Sequence, residues 1–125
     1  MVLSMLQAKL HRACVTHSDA DYEGSCAIDS KLLAIAGMIE YQQLHIYNVT
    51  NGERFTTYAL SAESGSKIIS INGAAAHKAS RGDRIIICTY VTYEEYQIVM
   101  YAPNLVYLNG SNNVIGQKSR IPIQN

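Results

Sequence analysis

The chain has 125 residues, of which 48% are hydrophobic, so it is long enough for one domain with a buried core. Ten basic and ten acidic residues cancel, and the charge therefore indicates neither nucleic acid nor a membrane surface as a partner. Because the N-terminus lacks the pattern of a signal peptide, no apolar run reaches the about 18 residues of a membrane span, and three widely spaced cysteines fit reduced thiols, we expect a soluble, cytoplasmic protein.

Short strands dominate the first half of the chain. Leu3 to Ala8 and Ala13 to Thr16 are predicted strands that flank a basic cluster, and Ser25 begins a third. Residues 29–37 predict a short helix, with Asp29 or Ser30 as its N-cap and Gly37 at its end. Leu44 to Val49 and Arg54 to Leu60 then predict a hairpin, because Asn51-Gly52 between them is a strong turn signal.

The second half continues this pattern. Further strands are predicted at Ile68 to Ile71, Arg84 to Tyr90 and Asn104 to Leu108, and a second short helix at Tyr93 to Val99. Strands this short and regular favour a small closed barrel with two minor helices. Residues 110–125 are polar and contain Pro122, and they are predicted to form a flexible tail.

The dipeptide Gly24-Ser25 is the most informative local feature, although the pair by itself is common. The chain contains it also at Gly65-Ser66 and Gly110-Ser111. What distinguishes the first pair is the set of motifs in which it occurs along the chain. These are Lys9-Leu10-His11-Arg12-Ala13, Tyr22-Glu23-Gly24-Ser25-Cys26, Asn51-Gly52-Glu53-Arg54-Phe55-Thr56-Thr57-Tyr58 and Asn72-Gly73-Ala74-Ala75-Ala76.

Together these motifs resemble the bacterial aspartate 1-decarboxylases, which are pyruvoyl-dependent lyases, and the resemblance extends from Met1 to Pro103. It implies a mainly β fold, a small six-stranded double-psi β-barrel with short peripheral helices. It also implies decarboxylation of L-aspartate to β-alanine and CO2, which serves pantothenate and coenzyme A biosynthesis. The turn at Gly82-Asp83 before an Ile-rich strand is similar to a turn of that fold.

The resemblance further implies that the protein is a zymogen. The Ser25 hydroxyl would attack the carbonyl of Gly24, and Thr57 would assist this self-cleavage. The single domain of residues 1–125 would become a beta chain, residues 1–24, and an alpha chain, residues 25–125. Ser25 would end as a covalently bound pyruvoyl group, the cofactor that forms a Schiff base with the substrate amine.

Two cations and one phenol are the candidates for handling aspartate. Arg54 can bind a carboxylate through two parallel hydrogen bonds, and Lys9 offers a point charge. Tyr58 is the predicted proton donor, because a phenol is protonated at neutral pH. Arg54 and Tyr58 lie four residues apart on a predicted strand, so both side chains should project from the same face.

The remaining predicted site residues lie close to these in the motifs. Asn72, Gly73, Ala74 and Ala75 predict a small-walled substrate pocket, and they also fit the start of a short helix capped by Asn72. Tyr22 is expected to line the same pocket. Thr57 should point away from Arg54 on a regular strand, so that either a bulge or a site shared between subunits is needed to combine them.

Other interpretations stay open at this point. Cys26 beside Ser25 could be a nucleophile, but no base is near it in sequence, which favours a small buried residue. The histidines have no ligand-like spacing, and no metal site is predicted. The protein could also be a non-catalytic barrel that binds a ligand, or a pyruvoyl enzyme for another amino acid. The resemblance implies a homotetramer with sites at subunit interfaces, and some members of the family rely on an acetyltransferase-like maturation factor.

Overall fold

The computed structural model describes all 125 residues, and the fold is mainly β, as predicted. It contains nine strands and one α-helix, α1 (Ser30–Ala36). The strands are β1 (Val2–Cys14), β2 (His17–Asp19), β3 (Ser25–Asp29), β4 (Gln43–Asn48), β5 (Arg54–Ala62), β6 (Ile69–Asn72), β7 (Arg84–Glu94), β8 (Asn104–Leu108) and β9 (Val114–Lys118). The chain thus has more strands than the six expected for the barrel.

The strands form one sheet that closes on itself. Their order is β2-β6-β3-β5-β4-β7-β1-β8-β9. β2 stands at one end of this order, yet only Val15 and Thr16 separate it from β1 along the chain. The sheet must therefore curl until these two strands meet, which makes a barrel. If β1 and β2 are taken as one interrupted strand, six strand positions make up the ring, and β8 and β9 extend outside it.

The inner face of the ring forms one hydrophobic core. Successive residues of a strand point to opposite faces, so every second side chain enters the core. Its largest fully buried side chains are Leu10, Ile28, Leu44, Ile46, Ile69, Ile71, Ile85 and Ile87. The predicted turn at Gly82-Asp83 delivers two of them. Gly82 has φ +92°, its N–H donates to the carbonyl of Val15, and β7 begins directly afterwards.

The first strand is one long element, whereas the sequence predicted two. β1 pairs with β7 along its length, and the register shifts twice, between Leu6 and Ala8 and between Leu10 and Ala13. Arg12, inside the second shift, has φ +64°. Such irregularities absorb an extra residue without ending the pairing, so the basic cluster interrupts the hydrophobic pattern but not the strand.

The helix α1 is confirmed with the predicted caps. Asp29 occupies the N-cap, and Gly37 ends the helix with φ +77°. The Asp29 carboxylate is buried and accepts hydrogen bonds from the backbone N–H groups of Lys31, Gly65 and Lys67. Burial by itself would raise the pKa of Asp29, but these three donors outweigh burial and lower the pKa below its ordinary value.

Replacing Asp29 with alanine should therefore destabilise the fold by about 2–4 kcal/mol at neutral pH, since it removes a helix cap and leaves buried N–H groups unpaired. The folded-state pKa is depressed, so this contribution is present above the unfolded-state value and is lost as the pH falls through the folded-state value. Urea unfolding at fixed protein concentration measures the difference. The exposed Asp21→Ala variant is the control, and equal stability of both variants at pH 7 contradicts the prediction.

The remaining elements differ in detail from the prediction. The second helix is a 3₁₀ helix at Glu95–Met100, because β7 continues to Glu94. Another 3₁₀ helix covers Gly73–His77. The polar tail contains β9, which pairs antiparallel with β8. No helix of the structure is long and apolar enough to cross a membrane.

Candidate active site

The Gly24-Ser25 peptide lies at the entry to a central strand of the barrel. β3 lies between β6 and β5, with Ser25 opposite Asn72 and with Cys26 opposite Ala59. The parallel pairing of β3 and β5 begins at Cys26 and Ala59, so Gly24-Ser25 and Thr57-Tyr58, which come directly before these two residues, lie at the same end of the two strands. The register thus places the dipeptide beside the hairpin strand of the third motif.

Ser25 is buried, strained and without a hydrogen-bond partner. Its relative exposure is 2%, its φ is +123°, and its Oγ is one of only two buried side-chain N or O atoms that lack a partner. An unpaired buried hydroxyl costs about 1–3 kcal/mol, and a positive φ at a non-glycine residue adds strain. Such strain concentrates at functional sites. A free hydroxyl next to the Gly24 carbonyl is also what conversion of Ser25 into a pyruvoyl group requires.

The space on both sides of this peptide is tight. A Cβ on Gly24 would lie 2.8 Å from the Tyr58 Oη and would displace that side chain. Gly73 has φ +67°, and a Cβ there would lie 3.2 Å from the Gly24 Cα. The backbones of residues 24 and 73 therefore pack against each other, and the Tyr58 hydroxyl lies over Gly24.

A cavity of about 330 Å³ opens at this point. It brings together seven of the predicted site residues, namely Gly24, Ser25, Thr57, Tyr58, Asn72, Ala74 and Ala75. Three further lining residues were missed by the sequence analysis, Phe55, Thr56 and Lys78. Lys78 is the one cation in the lining, and its Nζ forms an ion pair of 2.8 Å with Glu53. No sequence signal marked it, since it lies beyond the alanine run.

The predicted cations, Lys9 and Arg54, do not line this cavity. Both lie on the outer face of β1, β7, β4 and β5. Lys9 is opposite Cys88, and the Arg54 guanidinium stacks on the Tyr47 ring at 4.2 Å from its centroid. Arg54, Thr56 and Tyr58 are exposed and alternate with the half-buried Phe55 and Thr57, which confirms the predicted common face. Four residues of strand separate the backbones of Arg54 and Tyr58 by about 13 Å, so the two side chains leave β5 at different points along it.

Tyr22 lines a second, larger cleft of about 680 Å³ on the other side of Asn72. The Asn72 side chain borders both cavities. Tyr22 is 63% exposed, and its carbonyl would lie 3.7 Å from a Cβ at Gly73. The backbone of Tyr22 is thus next to the Gly24 pocket, while its side chain faces the neighbouring cleft.

A bulge in β5 was one of the two explanations for how Thr57 and Arg54 could serve one site, and no such bulge is present. β5 pairs with β4 without interruption from Arg54 to Tyr58. Thr57 is half-buried, on the face opposite to Arg54, and it lines the cavity beside the beginning of β3.

Asn72 does not cap the following 3₁₀ helix, contrary to one of the two interpretations of that motif. No side-chain cap hydrogen bond is formed, and the Asn72 Oδ1 instead accepts from the Ser70 hydroxyl at 2.8 Å. The side chain is thereby held beside the cavity rather than folded over the helix.

Two other reactive side chains are close in sequence to the motif residues. Burial raises the pKa of Cys26 to about 12, so this thiol is a poor nucleophile at neutral pH. The other unpartnered buried atom is the Nδ1 of His11, whose ring stands edge-on to Tyr107. Burial lowers the pKa of His11, and the charges of Lys9, Arg12 and Arg84 lower it further. The imidazole is therefore kept neutral.

Fold and site together define the class of protein: a small β-barrel enzyme with an open cavity beside a strained Gly-Ser peptide. The chain belongs to the aspartate decarboxylase family, whose model matches residues 1–115.

Named relatives agree with this family over nearly the whole chain. The aspartate 1-decarboxylase of Nitrosococcus oceani is 58% identical over 124 residues, which cover 99% of this chain and 98% of that protein. The enzyme of the same name from Alcanivorax borkumensis is 55% identical with the same coverage. That of Azotobacter vinelandii is 58% identical over 96% of this chain and 95% of its own length.

Proposed function

We propose that the protein decarboxylates L-aspartate to β-alanine and CO2, after cleaving itself between Gly24 and Ser25. Family membership supports the reaction. The observation that carries the self-cleavage is the buried, unpartnered Ser25 hydroxyl at a strained backbone position. Ser25 is the proposed source of a covalently bound pyruvoyl group, whose ketone takes up an amine and accepts the electrons released with CO2.

The residues around the dipeptide suit the first step. An N-to-O acyl shift moves the Gly24 acyl group from the Ser25 nitrogen to its Oγ and relieves the strain at Ser25. Elimination then leaves Gly24 as a free C-terminus, and hydrolysis of the remaining residue releases ammonia. Thr57 lines the same cavity as Gly24, where its hydroxyl can polarise the Gly24 carbonyl.

The same cavity suits the second reaction. Tyr58 lies over Gly24, so its hydroxyl can deliver a proton to a substrate held at position 25. Ala74 and Ala75 leave room for a small substrate, and Asn72 offers an amide for hydrogen bonding. Arg54 and Lys9 are the proposed ligands for the two carboxylates.

The separation of these cations from the cavity supports a site shared between subunits. Lys9, Cys88, His45 and Thr56 form one row across four neighbouring strands, which places the backbone of Lys9 about 14 Å from the backbone of Thr56 in the cavity wall. In a homotetramer, the outer face that carries Lys9 and Arg54 in one subunit would complete the cavity of its neighbour.

The test uses the purified wild-type protein. Intact-mass measurement should find residues 1–24 and residues 25–125 as separate species, the latter beginning with the pyruvoyl group. CO2 release should be fastest from L-aspartate when aspartate, glutamate and other amino acids are compared. A single uncut chain of 13.8 kDa without CO2 release would favour the non-catalytic binding module. Cleavage with a preference for another amino acid would reassign the substrate.

A further inference from the structure

The outer face of the barrel holds Arg54 through two tyrosines. The Arg54 guanidinium lies 4.2 Å from the centroid of the Tyr47 ring, in cation–π contact. The hydroxyl of Tyr47 is 2.8 Å from the hydroxyl of Tyr90. The three side chains thus form a connected series that begins on β7, crosses β4 and ends on β5.

Tyr90 is the fixed end of this series. Its ring stands edge-on to His45, with centroids 5.1 Å apart and an angle of 88° between the planes. Burial raises the pKa of Tyr90, and the hydrogen bond to Tyr47 raises it further. The hydroxyl therefore remains a neutral hydrogen-bonding group at all physiological pH values.

An arginine side chain has many rotamers, and ordering it on binding lowers affinity. Arg54 is exposed and has no carboxylate partner, since the one ion pair of the structure joins Lys78 and Glu53. The Tyr47 ring restrains the guanidinium, and the hydroxyl of that ring bonds to Tyr90.

We infer that Tyr90 is a positioning residue: by holding the Tyr47 ring, it orients the Arg54 guanidinium for a carboxylate of the substrate. This rests on the proposed role of Arg54 in binding aspartate. The Tyr90 hydroxyl itself touches neither substrate nor reacting atoms, so its effect is on substrate affinity rather than on the chemical step.

The test is the Tyr90→Phe variant, which keeps the ring against His45 and removes only the hydroxyl. We expect the KM for L-aspartate to rise about three- to tenfold, because the hydrogen bond that holds the Tyr47 ring is lost. The kcat should stay within about twofold and self-cleavage should remain complete, because neither depends on substrate affinity. The dissociation constant of succinate, a dicarboxylate without an amine, should rise by the same factor.

A double-mutant cycle separates positioning from general damage. Tyr47→Phe breaks the same hydrogen bond from the other side, so the double variant should bind succinate no more weakly than the weaker single variant. Tyr96→Phe removes a hydroxyl that is far more exposed, from a residue that is 77% accessible, and should change nothing.

Unchanged succinate binding and KM in Tyr90→Phe overturn the inference, and so does a fall in kcat without a rise in KM. Additive losses of succinate affinity in the double variant overturn it as well. Succinate binding is measured without turnover. A wild type that binds succinate but releases no CO2 therefore contradicts the proposed function. In that case the succinate dissociation constants of the wild type and of Tyr90→Phe still decide whether Tyr90 positions Arg54. A wild type that fails to bind succinate contradicts the role given to Arg54, and with it the inference.

Discussion

Replacing Ser25 with alanine is expected to leave the chain uncut and to remove CO2 release from L-aspartate entirely, a loss of at least about a million-fold. Alanine has no hydroxyl to attack the Gly24 carbonyl and cannot be converted into a ketone. Intact mass should give one species of full length, and the decarboxylation assay should give the background rate.

The loss should not be accompanied by unfolding. The Ser25 Oγ is buried without a partner, so its removal deletes an unfavourable group, and alanine tolerates φ +123° no worse than serine does. The variant should be at least as stable as an uncut wild-type chain. Ser111→Ala, in another Gly-Ser pair whose serine is exposed, is the matched control and should cleave normally. Cleavage that persists in Ser25→Ala would refute the mechanism.

The second large effect is expected for Tyr58→Phe, which should lower kcat by about a hundredfold or more, the usual contribution of a positioned proton donor. KM should change little, since the ring remains in the cavity wall. The stereochemistry of the product gives a further readout. In D2O the wild type should place deuterium on one face of the new CH2 group of β-alanine, and the variant should lose this preference if water replaces the phenol.

Tyr41→Phe is the control for this substitution, because Tyr41 is 73% exposed and does not line the cavity. Mass analysis must accompany the kinetics, since the Tyr58 Oη also lies close to Gly24. A variant that cleaves fully but turns over at the wild-type rate would show that the proton comes from elsewhere. A variant that no longer cleaves would instead place Tyr58 in the self-cleavage step.

Local signals were sufficient for the elements that depend on neighbours in sequence. Asp29 and Gly37 define both ends of α1, because a cap acts through the backbone within one helical turn. Asn51-Gly52 predicted the hairpin for the same reason, with Gly52 at φ +79°. The strand β9 was not predicted, since its residues pair with β8 only once the barrel presents that edge.

The site could be predicted in composition but not in arrangement. The Gly-Ser dipeptide and Tyr58 meet because β3 and β5 are parallel neighbours, and nothing in a single sequence specifies which strands become neighbours. For the same reason the sequence did not reveal Lys78, which lines the cavity from the end of a 3₁₀ helix. Nor did it reveal the placement of Lys9 and Arg54 on an outer face, because spacing along a strand reports the face and not the distance from a cavity.

The passage of the first 24 residues through the barrel has a consequence for the mature protein. β1 pairs with β7 and β8, and β2 pairs with β6, so a cut after Gly24 removes a covalent link while every ladder of the short chain stays in place. The product would be a heterodimer of the two fragments, and no covalent bond would hold the strands of the short chain in the sheet. Unfolding would then be a dissociation, with a midpoint that shifts with protein concentration, and a denatured sample would refold only if both fragments were retained.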